Sequence, residues 1–230
     1  MSISSLSLLA SIAVPAAKRR DPLEPRKLPT QGRAAQTVAA ILESAAHILE
    51  TDGFEGYNTN AIAAKAGASI GSVYQYFGSK DAITMALIAD ATGRLLAAVE
   101  AAAALADPGA ALDALIAAAV DHQLHRPRLA QLLDLEERRL YRPGVRDDPG
   151  PARVHPKVVD VIEKIYGPHA ALPLLCADIV VITRALCDAS AGRRGDSRAA
   201  LQRRIRSAIH GYLREQTRAP KRAKHQEPRR

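Results

Sequence analysis

Tryptophan is absent from the chain, and two phenylalanines and six tyrosines are its only aromatic residues among 230. Sheets select aromatic and β-branched side chains, so this scarcity, set beside abundant alanine and leucine, favours helix over strand. No alternating strand pattern of useful length and no internal repeat occurs. Cysteine is nearly absent as well. Cys176 and Cys187 fall in one apolar helical stretch, where eleven residues separate them by about 16 Å at ~1.5 Å per residue, beyond disulfide reach within that helix. They are expected to be small core residues of a reduced, cytoplasmic protein. The apolar run in "MSISSLSLLASIAVPAAKRR" is too short to span a bilayer, and its basic cluster follows the run instead of preceding it as in a secretory signal. No membrane segment is expected; residues 1–30 read as a disordered extension, or as the product of a start codon placed too early.

Residues 81–217 contain no nucleophile triad spacing, phosphate-binding loop, Walker motif or Cys/His cluster. Enzymatic chemistry and a cofactor therefore lack support. His122 and His125 stand three apart beside Asp121, within reach of a shared metal, but no thiolate joins them and surface histidines are the simpler reading. No metal is expected.

Apolar residues make up 47% of the chain, enough to fill a real core. The net charge of +8 suggests an anionic partner, yet its position matters more than its size. From Arg203 onward there are ten Lys or Arg and two Glu, which accounts for all of the excess, while residues 1–202 are neutral with 22 of each sign. Basicity therefore belongs to the C-terminal end, and residues 218–230 read as a solvated disordered tail.

Helical periodicity begins near Gln31 or Gly32, with Val38, Ile41, Leu42, Ala45, Ala46 and Leu49 on one face, and stops at "TDGFEG", where Gly53 supplies the break. Asn58 or Thr59 then caps a short helix ended by Gly67. Ser69 caps the next, from Ile70 to about Phe77, and Ser79 caps a long one opening at Lys80. Further helices are expected over about 80–105, 108–126, 127–141, 156–166, 170–191 and 196–217, the second of these opened by Asp107-Pro108. A Pro- and Gly-rich loop precedes residue 156. The protein should be all-α.

Between Thr59 and Tyr76 the spacing is that of a helix-turn-helix. Ile62 and Ala66 can face a core, Ala63 is small where two helices cross, Gly67 permits a left-handed turn, and Val73 returns to cover the crossing. An ordinary helical hairpin would satisfy the same spacing. The continuation "SIGSVYQYFGSK" resembles the recognition helix and following turn of the TetR family of bacterial transcriptional regulators. That resemblance covers about residues 33–90, through "GF" after the first helix, Thr59, "AGAS", "YQYF" and Lys80.

The resemblance implies a three-helix DNA-binding domain over residues 31–80 and a larger helical effector-binding and dimerisation domain over 81–217. A recognition helix presents its N-terminal residues to the major groove, where small side chains permit close approach. Gly71 and Ser72 suit that need, Ile70 could meet a thymine methyl, and Gln75 carries the amide that pairs with adenine; Ser69 caps this helix at the same surface. The resemblance assigns phosphate contacts to Thr59, Tyr74, Tyr76 and Lys80, and Asn60 can add a base or phosphate contact. Lys80 opposes the positive end of its own helix, which makes sense beside an anion. The alternative for the tyrosines is ordinary packing with the ring inside and the hydroxyl at the surface. Phe77, four residues past Val73, should be core.

The implied partners are a palindromic operator in double-stranded DNA, a second copy of the chain and an unknown small-molecule effector. Polar groups available to orient an effector include His122, His125, Glu136, Arg139 and Tyr141, with the pocket expected among the helices between 90 and 166. The stretch "ALPLLCADIVVITRALCDASAG", apolar nearly all round, and the following helix with Leu201, Ile205, Ala208, Ile209 and Tyr212 on one face form the expected dimer bundle. The alternative is the central helix of a monomer. Two functional classes follow: a repressor released by its effector, or an effector-independent architectural protein that uses its basic tail.

Overall fold

A computed structural model describes residues 32–141, 149–191 and 196–217. The expected N-terminal extension, the basic tail and residues 142–148 of the Pro- and Gly-rich loop lie outside the described residues. Among those described there are nine helices and no strand: α1 Gly32–Gly56, α2 Thr59–Lys65, α3 Ile70–Tyr76, α4 Lys80–Ala103, α5 Pro108–Leu124, α6 Pro127–Leu140, α7 Pro149–Tyr166, α8 Leu172–Ala191 and α9 Arg198–Gln216. The all-α expectation holds.

Local chemistry sets most of the boundaries. Gly53, at φ 65°, breaks α1 where the sequence places the stop. The side chains of Asn58, Ser69, Ser79, Asp107 and Ser197 each accept a backbone N–H in the first turn of α2, α3, α4, α5 and α9. Helix α7 departs from expectation, starting at Pro149 rather than near residue 156. Proline disfavours a helix interior, so Pro156 reads as a start. The helix continues upstream because Val154 lies on the same face as Val158, Val161 and Ile165 and packs with them against one core.

Two apolar cores result. The first joins α1, α2, α3 and the beginning of α4, and it also takes in Leu129, Leu133 and Leu140 of α6. The second joins the end of α4 to α5, α7, α8 and α9. Helix α4 serves both, with Ala82 to Ile88 in the first and Leu96 to Ala102 in the second. Among the described residues it is the one helix long and apolar enough to cross a membrane by length and composition, but its apolar side chains are shared between these cores. Both cysteines are buried and unbridged, and burial pushes each thiol up to about 11.

Candidate nucleic-acid interface and adjoining cavity

Helix α2 ends in a paired set of backbone bonds, Ala68 N–H to Ala63 O at 3.0 Å and Gly67 N–H to Ala64 O at 3.3 Å, with Gly67 at φ 62°. This arrangement satisfies the last carbonyls of α2 and turns the chain directly into α3, and the left-handed residue in it favours glycine. Ile62 and Val73 are fully buried in the same core and Ala63 is nearly so, which fixes the α2–α3 crossing. Phe77 is buried as expected.

With that side of the hairpin closed, the opposite side holds the remaining sequence candidates. Asn60 of α2, Ser69, and Ile70, Gly71, Tyr74 and Gln75 of α3 are exposed. Nothing among the described residues requires Gly71 to be glycine. Its φ is not positive, and an added Cβ would meet only Ser69 Oγ at 3.7 Å. Thr59 and Tyr74 are brought together across the two helices, with their hydroxyls 3.3 Å apart. Ser72 is half-buried, its hydroxyl 2.9 Å from that of Ser69. Tyr76 is half-buried with its ring against the first core.

Lys80 opens α4, exposed, with Nζ 5.5 Å from the centroid of the Tyr57 ring. Sequence reasoning missed Tyr57. It is only 2% exposed, its hydroxyl lies 3.1 Å from that of Thr84, and burial pushes its pKa up to about 12. Beside the Asn58 cap it occupies the position whose apolar residue packs on the fourth residue of a helix, here Ile62. That spacing was a usable signal. The ring forms a floor under the ammonium group and restricts where it can go.

Behind this surface lies a cavity of about 690 Å³, at the seam between the two cores. Its walls come from α1 (Leu42, Ala46), α4 (Leu87, Leu95), α5 (Ala118, His122) and α6 (Leu129, Leu133). His122 and His125 line it, as the sequence suggested; Glu136, Arg139 and Tyr141 do not, and the participation of α1 was not foreseen. Among the described residues no group of three or more His, Cys, Asp or Glu could hold a metal. His122 is half-buried, and burial holds its pKa below 6.5, with Arg184 and Arg94 acting in the same sense and Asp134 against them.

Helix α6 forms one wall and, besides its leucines in the first core, is tied to its neighbours by charge. At its start, Arg126 donates from Nε and Nη2 to Glu50 Oε2 of α1 at 2.9 and 2.7 Å, and from Nη1 to Glu43 at 3.1 Å. Near its end, Arg139 donates to Asp81 of α4 and to Glu136, with closest approaches of 2.6 Å to each. In the middle, Asp134 accepts from Arg184 of α8 and from Gln123 of α5. Arg139 thus anchors the residue next to Lys80.

Residues 41–87 match the family model described as bacterial regulatory proteins, tetR family. Over these residues the chain is similar to the DNA-binding region of the tetR family, and its all-α fold is shared with solved regulators described as belonging to that family. A TetR-family regulator from Streptomyces coelicolor superposes with a TM-score of 0.56 at 22% identity, covering 78% of this chain and 98% of that one. The TetR-family regulator PfmR from Thermus thermophilus gives 0.58 at 20% identity, covering 76% and 94%. EbrR, described as a multidrug binding protein complexed with imidazole, gives 0.53 at 19% identity, covering 76% and 93%. At these identities the likeness concerns the fold. No curated protein matches the chain.

The tetR-family match spans the helix-turn-helix and ends at Leu87 inside α4, so it takes in Leu42, Glu43 and Ala46 of the α1 wall of the cavity and only the first residue of the α4 wall. Arg126 and Arg139 of α6 bond to Glu43, Glu50 and Asp81, all of which lie within the matched region.

Proposed function

We propose that the chain is a ligand-responsive transcriptional repressor, acting as a homodimer that leaves a palindromic operator when a small molecule enters the seam cavity. The observation that carries this reading is the position of the cavity. A molecule there touches α1 of the DNA-binding unit and α4, α5 and α6 at once. Two conformations with different relative placement of the cores would offer it different contacts, which is the requirement for a ligand to shift their populations. Helix α6 is the natural moving part, since beside buried Leu129, Leu133 and Leu140 and half-buried Leu132 its ties to α1, α4 and α8 are ion pairs.

On the DNA side, Ile70, Gly71, Ser72 and Gln75 are assigned to base edges. Thr59, Tyr74, Tyr76 and Lys80 are assigned to phosphates, while Asn60 and Ser69 serve the same face. Dimerisation is assigned to α8 and α9. Leu174 and Val181 of α8 are 66% and 67% exposed in the single chain, on the side away from buried Leu175, Cys176 and Ile179. A second copy would cover them.

Selection of duplexes from a random pool by the full-length protein tests this. The expected result is an inverted repeat with half-sites one helical turn, about 34–36 Å, or a multiple of it apart. Recovery of no common sequence would refute it and favour the architectural alternative.

A further inference from the structure

We propose that the seam cavity takes an uncharged molecule with an aliphatic skeleton and one hydrogen-bonding group, the skeleton against the leucine wall and the polar group on the His122 imidazole. This rests on the effector-site reading above and names its ligand class.

The wall comes first. Leu42, Leu87, Leu95, Leu129 and Leu133 supply the large apolar surfaces, and among the described residues no Phe or Tyr side chain lines the cavity. A flat heteroaromatic ligand has no such ring to stack on, and a quaternary ammonium ion has no aromatic cage. The volume of about 690 Å³ falls inside the ~300–1,000 Å³ typical of small-molecule sites.

Charge is the second argument. Among the described residues four arginines line the cavity, and each already has a carboxylate partner: Arg94 with Asp90, Arg126 with Glu43 and Glu50, Arg184 with Asp134, and Arg198 with Asp121. Glu137, also in the lining, lies 3.8 Å from Arg184. An anionic headgroup would meet a carboxylate beside every guanidinium, and a cationic one a guanidinium beside each paired carboxylate, so either sign enters next to its own charge. An uncharged ligand leaves every pair intact.

His122 supplies the third. Its imidazole lines the cavity and has no hydrogen-bond partner among the described residues. The charged groups acting on it, Asp134, Arg184 and Arg94, leave it below its ordinary pKa because burial dominates, so the ring is neutral at pH 7. A neutral imidazole offers one N–H donor and one acceptor nitrogen, a match for a hydroxyl, carbonyl or amide. His125, exposed one turn away, lies toward the solvent side.

The test uses the full-length protein and three probes of equal chain length: 1-octanol, octanoate and octylammonium. Titrations are followed by imidazole ¹H–¹⁵N spectra at pH 7 and, in parallel, by anisotropy of a bound operator duplex. 1-Octanol should shift the His122 ring signals saturably and bind at least about tenfold more tightly than either ion. His122→Leu should weaken 1-octanol about tenfold while leaving the fold intact by circular dichroism. Ala118→Leu, which narrows the cavity, should abolish binding. The proposal is overturned if either ion binds as tightly as 1-octanol, if 1-octanol does not saturate, or if His122→Leu changes nothing. If 1-octanol binds as stated without releasing DNA, the ligand class stands and the effector reading fails; if an ion binds best and releases DNA, the reverse holds.

Discussion

Replacing Arg126 with methionine removes the guanidinium that joins α6 to α1 while keeping most of its apolar stem. Two contacts are lost. The one to Glu43 is solvent-exposed and is worth ~0–1 kcal/mol. The one to Glu50 involves side chains 26% and 28% exposed and a two-nitrogen grip on one oxygen. Charge-assisted bonds of that kind are worth ~1.5–3 kcal/mol before solvent screening, so a discounted total of ~2 kcal/mol is reasonable. Burial by itself pulls the Arg126 pKa down, and the Glu50 and Glu43 carboxylates more than offset it, leaving a net rise. For a chain of this size the loss corresponds to a melting midpoint lower by about 4–8 °C. Thermal denaturation of wild type, Arg126→Met, Glu50→Gln and the double variant forms the cycle, and a coupling of at least ~1 kcal/mol is expected. If Arg126→Met melts within about 1 °C of wild type and the cycle closes without coupling, the polar attachment of α6 does not hold the two units together, and its proposed role in transmission fails with it.

Two further outcomes follow. His122 has its folded-state pKa held below 6.5, so the unfolded chain binds more protons between that depressed value and 6.5. Stability from this group is complete above about pH 6.5 and is lost as pH falls through that window; His122→Gln should flatten part of the decline in melting midpoint between pH 7 and pH 5. Val181→Glu puts a charge on an already exposed position, so it should leave the melting of the isolated chain within about 0.5 kcal/mol while converting a dimer to a monomer in sedimentation. An unchanged dimer would locate the interface elsewhere.

The elements that were legible in the sequence are those whose causes are local. A cap such as Ser69 or Asp107 acts within one turn, and Gly67 is required by the backbone of a single residue, so both are readable without knowing what lies nearby. The same is true of the apolar face of α9, where Leu201, Ile205 and Ile209 are buried. What was hidden depends on partners distant in the chain. Arg126 and Glu50 are 76 residues apart, and nothing around either announces the other. The membership of α6 in the first core, and of α1 in the cavity wall, likewise comes from packing between units rather than from periodicity within a helix. Tyr57 falls between these cases, its spacing to Ile62 being local and its contact with Thr84 not.

The central claim is that the exposed face of α2 and α3, with Lys80, recognises a specific DNA sequence. Fluorescence anisotropy on duplex from upstream of the protein's own gene, beside a scrambled duplex and across a salt series, tests it most directly. The account predicts affinity for the former about 10³-fold or more above the scrambled one. It also predicts that Lys80→Ala weakens binding and reduces the log–log salt slope by about 1 per protomer, as loss of one phosphate contact requires. Equal affinity for both duplexes, with binding lost on removal of residues 218–230 and untouched by Lys80→Ala, would contradict it.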